Sequence, residues 1–496
     1  MRIGPDSVSL RTFLLALVLL SFLMPACGPA VQDDPVEADA PSPPTLEALA
    51  PRQPFVTSDT DPLRAALVLP LSEHLLRTLA IGIPGGHPLV RSQPMGKVAE
   101  HAQLVEALTE NGVRVLDVRD LAEEAIQEAR RQGALEDWLK EAFPVSAPRA
   151  IERLEEIDAD SLFNQRDDHF YLEDEDHAFD PIFPGVPSMY WARDWAISTP
   201  RGLVIGNGMR FGRSRENHVA RLIFRFAPSL DDIPVAFDAA QHDVNLDGGD
   251  TIVLDADTLL LGVDNRSSRE AAPLLAQELG MDVLAVSMPP RQRAGALRRS
   301  LLHLDTIFNI VDHKKAVALP FFLEKEYSES NPLKNILTGL ARQVEAMAKA
   351  HPDYEFSGVE DIQTTIDAIP EVGWVTRYAA GSGEEEALEM KLVDYFRQEG
   401  YQIIPVGGER GQLPLTKYFL ERVLYELNWQ GANVVQIEPG HVLAYRHNTH
   451  TNEALRQAGV HVTEFDGDLL AHHNGGPHCL VMPLLRWPQR PAAATD

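Results

Sequence analysis

From Leu63 onward, short apolar runs alternate with amphipathic segments of helical period, which confines the body of the chain to the α/β or α+β classes. Residues 64–69 read as a strand. Residues 97–111 carry Val98, Leu104, Val105 and Leu108 at helical spacing, and Gly112 ends that helix before a strand at 113–118. Residues 121–143 and 147–157 read as charged helices forming an excursion beside the main body. Residues 165–183 are acidic and aromatic and read as an irregular loop. Further strands are expected at 203–205, 251–254, 258–261, 283–286 and 316–319, with helices at 270–279 and 415–426. No close internal repeat is visible, and periodicity alone leaves the topology open.

A hydrophobic content of 44% over 496 residues is that of a globular chain with a large core. The formal net charge of -29 argues against nucleic-acid binding, which needs a basic footprint. At the N-terminus, Arg2 and Arg11 precede an apolar run at 13–23. That run is too short for a spanning helix of ~20 residues and suits a signal peptide. Met24-Pro25-Ala26-Cys27-Gly28 then places a small residue before cysteine, as at the lipid-acceptor site of a bacterial lipoprotein. Residues 1–26 are expected to be removed and Cys27 lipidated, with a plain signal peptide or an uncleaved anchor as alternatives. Residues 27–62, rich in Pro, Ala, Asp and Glu up to Pro51, read as a disordered tether. The expected location is therefore an exported protein anchored to a membrane, in the periplasm or at the cell surface.

Cys479 is the one other cysteine, within Gly475-Gly476-Pro477-His478-Cys479. It is either a small buried hydrophobe or a nucleophile presented by a tight glycine turn. His303-Leu304-Asp305 would place a histidine and a carboxylate on one side of a strand. Asp247-Gly248-Gly249-Asp250 brackets two glycines with carboxylates, a turn suited to a cation, a calcium ion or the orientation of a histidine. Asp194, after the aromatic run Met189-Tyr190-Trp191-Ala192, is a carboxylate in apolar surroundings and requires a cationic or hydrogen-bonding partner. The histidines at 447, 450, 472 and 473 match no zinc spacing, and neither a dinucleotide fingerprint, a phosphate loop nor a serine elbow is present.

Taken together, these motifs resemble the signature of the guanidine-modifying enzymes, and of arginine deiminases in particular. The resemblance rests on Trp191-Ala192-Arg193-Asp194, Asp247-Gly248-Gly249-Asp250, His303-Leu304-Asp305 and Gly475-Gly476-Pro477-His478-Cys479, in that order. Gly212-Arg213-Ser214-Arg215-Glu216, the stretch 259–266, the region from Asn433 to Gly440 and residues 445–460 extend it. It implies a pentein, an α/β fold of five ββαβ-type units over residues 63–496, with a short helical insertion at about 119–168. It implies that Asp194 and Asp305 grip a guanidinium, that Cys479 attacks its central carbon, and that His303 protonates departing ammonia and then activates water. Asp247 would orient His303. Arg213 and Arg266 resemble positions that bind the substrate carboxylate, Asp250 could meet the α-ammonium, and Ser188 stands where the family often has a substrate-binding asparagine. Two more departures are Asp247 in place of glutamate, and His472-His473-Asn474 in place of Arg-Gly-rich sequence. The expected substrate is arginine or a close derivative, yielding citrulline and ammonia without metal or organic cofactor; a homo-oligomer is the family expectation. An amidinotransferase, a hydrolase of agmatine or methylated arginine, and a non-catalytic binding pentein are the alternatives.

Overall fold

One pairing rule organises the strands: an antiparallel hairpin, then a helix, then a third strand parallel to the second. The computed structural model describes residues 55–76, 94–145, 147–163, 171–173, 179–181, 186–208, 213–231, 233–291, 297–351, 359–471 and 475–488. The expected signal peptide, Cys27, residues 27–54 of the tether and residues 472–474 lie outside them, whereas residues 55–62, expected to belong to the disordered tether, are packed on the body, with Val56 bridged to Arg486 and Asp59 buried.

Strand β1 (Leu63–Val68) runs parallel to β2 (Arg114–Asp117) across helix α1 (Pro94–Glu110). A small hairpin, β3 (Tyr171–Glu173) with β4 (Phe179–Pro181), follows in the stretch expected to be irregular. The second unit is β5 (Ala196–Thr199), β6 (Gly202–Ile205), α2 (Ser214–Phe226) and β7 (Val235–Asp238). The third is β8 (Thr251–Val253), β9 (Thr258–Val263), α3 (Ala271–Leu279) and β10 (Asp282–Ser287).

The fourth unit begins with β11 (Phe308–Asp312) and β12 (Lys315–Ala318). A long insertion then intervenes, ending in the hairpin β13 (Trp374–Tyr378) and β14 (Glu385–Lys391). The unit closes with α4 (Leu392–Gln398) and β15 (Gln402–Pro405), parallel to β12. The fifth is β16 (Val435–Glu438), β17 (His441–Tyr445), α5 (Thr449–Gln457) and β18 (His461–Phe465). The last strand, β19 (Met482–Arg486), pairs antiparallel with β1, with Leu67 opposite Met482. The end of the chain thus supplies the first strand of the first unit. This is the pentein architecture, five ββαβ units.

The local chemistry explains the elements. A parallel pair needs a crossover connection, and a strand covered on both faces reads as unbroken apolar sequence. Strand β9 (TLLLGV) is such a run, buried at five of its six positions. The expected charged helix at 121–143 is two helices, Val118–Arg131 and Leu135–Ala142, separated at Gly133, whose φ of 71° only glycine adopts cheaply. Ala147–Ile151 and Ala159–Phe163 complete this group, and Trp138 Nε1 ties it to α2 through the His218 carbonyl at 2.8 Å.

A second insertion went unforeseen. Between β12 and α4 the chain forms helices Pro332–Ala350 and Val359–Ala368, and its hairpin crosses to the neighbouring unit, where β13 pairs with β10. Its apolar spacing is that of any amphipathic helix pair, so periodicity could not separate it from the repeating units.

Candidate active site

The turn preceding the first strand of each unit carries a polar residue with work to do. Asp194 lies in the Ala192–Trp195 turn before β5. Asp247 caps, and Asp250 ends, the turn before β8. His303 and Asp305 flank Leu304 ahead of β11, Cys479 lies in the His478–Leu480 turn ahead of β19, and Asn433 stands two residues before β16. The fold gathers these five turns, and all the side chains named are buried.

His303 Nε2 lies 3.1 Å from Asp247 Oδ2, and its Nδ1 lies 3.8 Å from Asp194 Oδ1. Burial opposes the charged imidazole, but Asp194, the bond to Asp247, and Asp250 outweigh it and raise His303 to about 9. Asp247 is driven the other way. Burial would raise its pKa, yet His303, Arg213 and Arg266 hold it at about 2. His303 is therefore a cationic acid at neutral pH. Gly249 makes room for it: a Cβ there would fall 2.7 Å from His303 Nδ1 and 3.0 Å from Asp194 Oδ1. Asp194, Asp247 and His303 also bring three metal-type ligand atoms within 4.8 Å of one another. A metal requires neutral imidazole, however, so a histidine held protonated suits proton donation better.

Burial, Asp305 and Asp194 raise the Cys479 thiol well above its ordinary value. It rests as a thiol. Asn433 holds it in place: Nδ2 donates to Sγ at 3.3 Å and to the Asp305 carbonyl at 3.2 Å, while Oδ1 accepts from the backbone of His478 at 3.0 Å and of Cys479 at 3.2 Å. A Cβ at Gly476 would lie 2.0 Å from that Oδ1, so glycine is required there. Asp305 Oδ2 lies 3.8 Å from Sγ and 2.8 Å from His478 Nδ1. Burial and Arg193 lower the His478 pKa, so His478 is a neutral donor to Asp305. Behind it, Arg193 pairs with buried Asp59 at 3.2 Å.

Two buried carboxylate oxygens, Asp194 Oδ1 and Asp305 Oδ1, have no hydrogen-bond partner. Burying an unpaired acceptor is costly, so this pair marks a place for donors supplied from outside the chain.

Several expected residues take unexpected positions. His303 and Asp305 do not share a strand face, because Leu304–Thr306 is a helical turn. The two part there, His303 toward Asp247 and Asp305 toward His478. Asp250 is fully buried and spent on its own chain, with Oδ1 accepting from Leu304 N and Oδ2 from Ser267 N and Oγ. It braces the His303 turn instead of meeting an α-ammonium, and burial raises it to about 7. Arg213 lies 2.8 Å from Asp194 Oδ2 and 3.1 Å from Glu216 Oε1, and Ser188 donates to Glu216. Arg266 Nη1 lies 3.9 Å from Asp247 Oδ2, an ion pair too long for a hydrogen bond, so this buried nitrogen keeps an unused hydrogen-bond donor.

Asn433, His478 and Glu216 each fall within a motif that carries the resemblance, yet their residue types alone point to no role. A position within a motif says nothing about which neighbour a side chain will hold.

Comparison with known proteins bears on this site. The family model described as arginine deiminase matches residues 150–335 and 359–486. Arginine deiminase of Listeria monocytogenes is 26% identical over 410 residues, covering 78% of this chain and 86% of its own. That of Staphylococcus epidermidis is 26% identical over 431 residues, covering 79% and 89%. Among solved structures, a cysteine-to-serine mutant of DDAH from Pseudomonas aeruginosa complexed with citrulline aligns at 13% identity with a TM-score of 0.44, covering 86% of this chain and 99% of its own.

Proposed function

The chain belongs to the arginine deiminase family, hydrolases of the carbon–nitrogen bond of amidines, and from that premise we propose that it converts L-arginine, or a close derivative, to citrulline and ammonia. One observation carries the reading. Asp194 and Asp305, from different units, each keep a buried oxygen without a hydrogen-bond partner, both hold the buried Cys479 thiol protonated, and Asp194 also sustains the charge on His303.

A planar guanidinium supplies the donors these oxygens lack, in charge-assisted bonds. Its positive charge cancels the field of the two carboxylates that keeps Cys479 protonated, so when substrate binds the thiol gives up its proton to solvent and the thiolate forms. Sulfur then attacks the central carbon. His303, already protonated, delivers its proton to the departing nitrogen, leaving ammonia and a thiouronium adduct on Cys479. The now neutral His303 takes a proton from water, which attacks the same carbon, and collapse releases the ureido product and the thiol. Arg266, whose Nη1 makes no hydrogen bond and only a 3.9 Å ion pair with Asp247, offers a contact for the substrate carboxylate.

The test is ureido and ammonia release from L-arginine by the purified chain, with Cys479→Ala beside it. Equimolar citrulline and ammonia, lost in the variant, support the proposal. Release only when an acceptor amine is added would replace it with amidino transfer.

Export on a lipid anchor is the companion proposal, supported by the Cys27 segment. Among the described residues, no helix is long and apolar enough to cross a membrane. Labelled fatty acid incorporated into the chain, and abolished by Cys27→Ala, would support the anchor; absence of label would remove it.

A further inference from the structure

The second half of the proposed reaction brings in an oxygen, and the two cradle carboxylates have nothing to donate to it. Asp194 Oδ1 and Asp305 Oδ1 are acceptors, which suits the N–H groups of a guanidinium and repels the oxygen of a urea. A further buried polar atom lacks a partner, and it can donate: the hydroxyl of Tyr190. Tyr190 is fully buried at the end of the helical turn Pro187–Tyr190. The next turn, Ala192–Trp195, carries Asp194 and packs against the His478–Leu480 turn that holds Cys479. The centres of the Tyr190 and Trp191 rings are 4.1 Å apart. The Tyr190 hydroxyl lies against Gly475, where a Cβ would stand 3.6 Å from it. A neighbouring phenol is already spent: Tyr445 donates to the Gly475 carbonyl at 2.6 Å. Burial, Cys479 and Asp194 push Tyr190 well above the ordinary tyrosine value, so it is a neutral donor and not a base.

We propose that the Tyr190 hydroxyl is a catalytic donor for the hydrolytic step, binding the attacking water and then the ureido oxygen that this water becomes. The inference rests on the guanidine-hydrolase reading above. The water directs one proton toward His303 and accepts from Tyr190, which leaves a lone pair for the central carbon. Its oxygen bonds to that carbon as the proton passes to His303. The carbon–sulfur bond then breaks, and the remaining hydroxyl proton passes to sulfur as the carbonyl forms. Tyr190 keeps its own proton throughout and donates to the oxygen whose charge changes, as preorganised donors do. A buried donor without a partner is costly, and the reacting oxygen relieves that cost. Attack by the thiolate involves no such oxygen, so it does not draw on Tyr190.

The experiment separates the two half-reactions in the full chain and in Tyr190→Phe, which removes the oxygen and keeps the stacked ring. Rapid mixing with L-arginine, acid quenching and mass spectrometry of the Cys479 peptide follow the adduct as it forms and decays. The expected result is decay slowed about 100-fold with formation changed less than about 3-fold, so that ammonia appears in a burst while citrulline lags. Equal slowing of both steps, slowing of formation alone, or no change in either would overturn the proposal.

A second arm needs no turnover. In a Cys479→Ala background, calorimetry measures the binding of citrulline and of arginine with and without Tyr190→Phe. Citrulline, which carries the ureido oxygen, should bind about 10-fold more weakly without the hydroxyl, while arginine stays within about 2-fold. Equal losses for both ligands, or none, would overturn the proposal. Failure of the underlying reading looks different: the unaltered chain would then form no adduct and release no ammonia from arginine.

Discussion

The two carboxylates of the cradle are held in opposite ways. Asp305 is held by neutral groups, with His478 Nδ1 at 2.8 Å on Oδ2 and the Asn433 amide on its carbonyl. Asp194 is held by a cation, Arg213. A neutral donor fixes a carboxylate and leaves its charge available to a ligand. A cationic partner cancels that charge until it is drawn away. One half of the site is thus permanently ready and the other conditional, although the two residues have the same chemistry and both lie in turns ahead of a first strand. The identity of the residue decides what can bind; the partner decides when.

The largest expected effect tests whether both halves serve one thiol. Cys479→Ala should reduce activity by at least ~10³-fold, and a residue of activity above that level would remove sulfur from the chemistry. Next comes the fixed half. His478→Phe removes the donor to Asp305 and should lower kcat by about 100-fold, whereas His478→Asn, which keeps an N–H, should retain most of it. Equal losses in the two variants would show that volume, and not donation, is what His478 provides.

The pH profile sharpens the conditional half, since Asp194 also charges His303. With His303 near 9, its acid form is complete at neutral pH and is lost as pH rises through 9. Asp247→Asn removes the negative charge that helps sustain the imidazolium, leaving only a neutral acceptor, so the alkaline limb of kcat/KM should move toward the ordinary histidine range. An unmoved limb would assign it to another group.

The smallest effect concerns the strut. Asp250 has a folded pKa of about 7, above its ordinary 3.8. Between those values the folded chain keeps a proton the unfolded chain has lost, so its contribution to stability declines as pH rises toward 7 and levels off above. Asp250→Asn should flatten the dependence of melting temperature on pH across that window; identical slopes would show that Asp250 does not titrate there.

Much of this was legible before the fold. Strand and helix positions followed from periodicity, and β1, β9, β10 and α3 lie within a residue or two of their expected bounds. The cysteine, the histidine and the two carboxylates were marked by motifs whose residue types the chemistry demands. The insertion between β12 and α4 was not legible, because its helices have the same apolar period as those of the repeating units. The HLD motif misled for a local reason: two residues apart means one face on a strand, but Leu304–Thr306 turns, and the pair separates.

The sequence by itself determined which element types form, which residues carry reactive groups and, through its motif order, the family. These are properties of residue type and spacing along the chain. Only the tertiary structure decided that Arg213 covers Asp194, that His478 steadies Asp305, that Asn433 steers the thiol and that Asp250 braces its own backbone. Hydrogen bonds and charge interactions act over a few ångströms of space, and the groups concerned are brought together from turns of different units by closure of the fold.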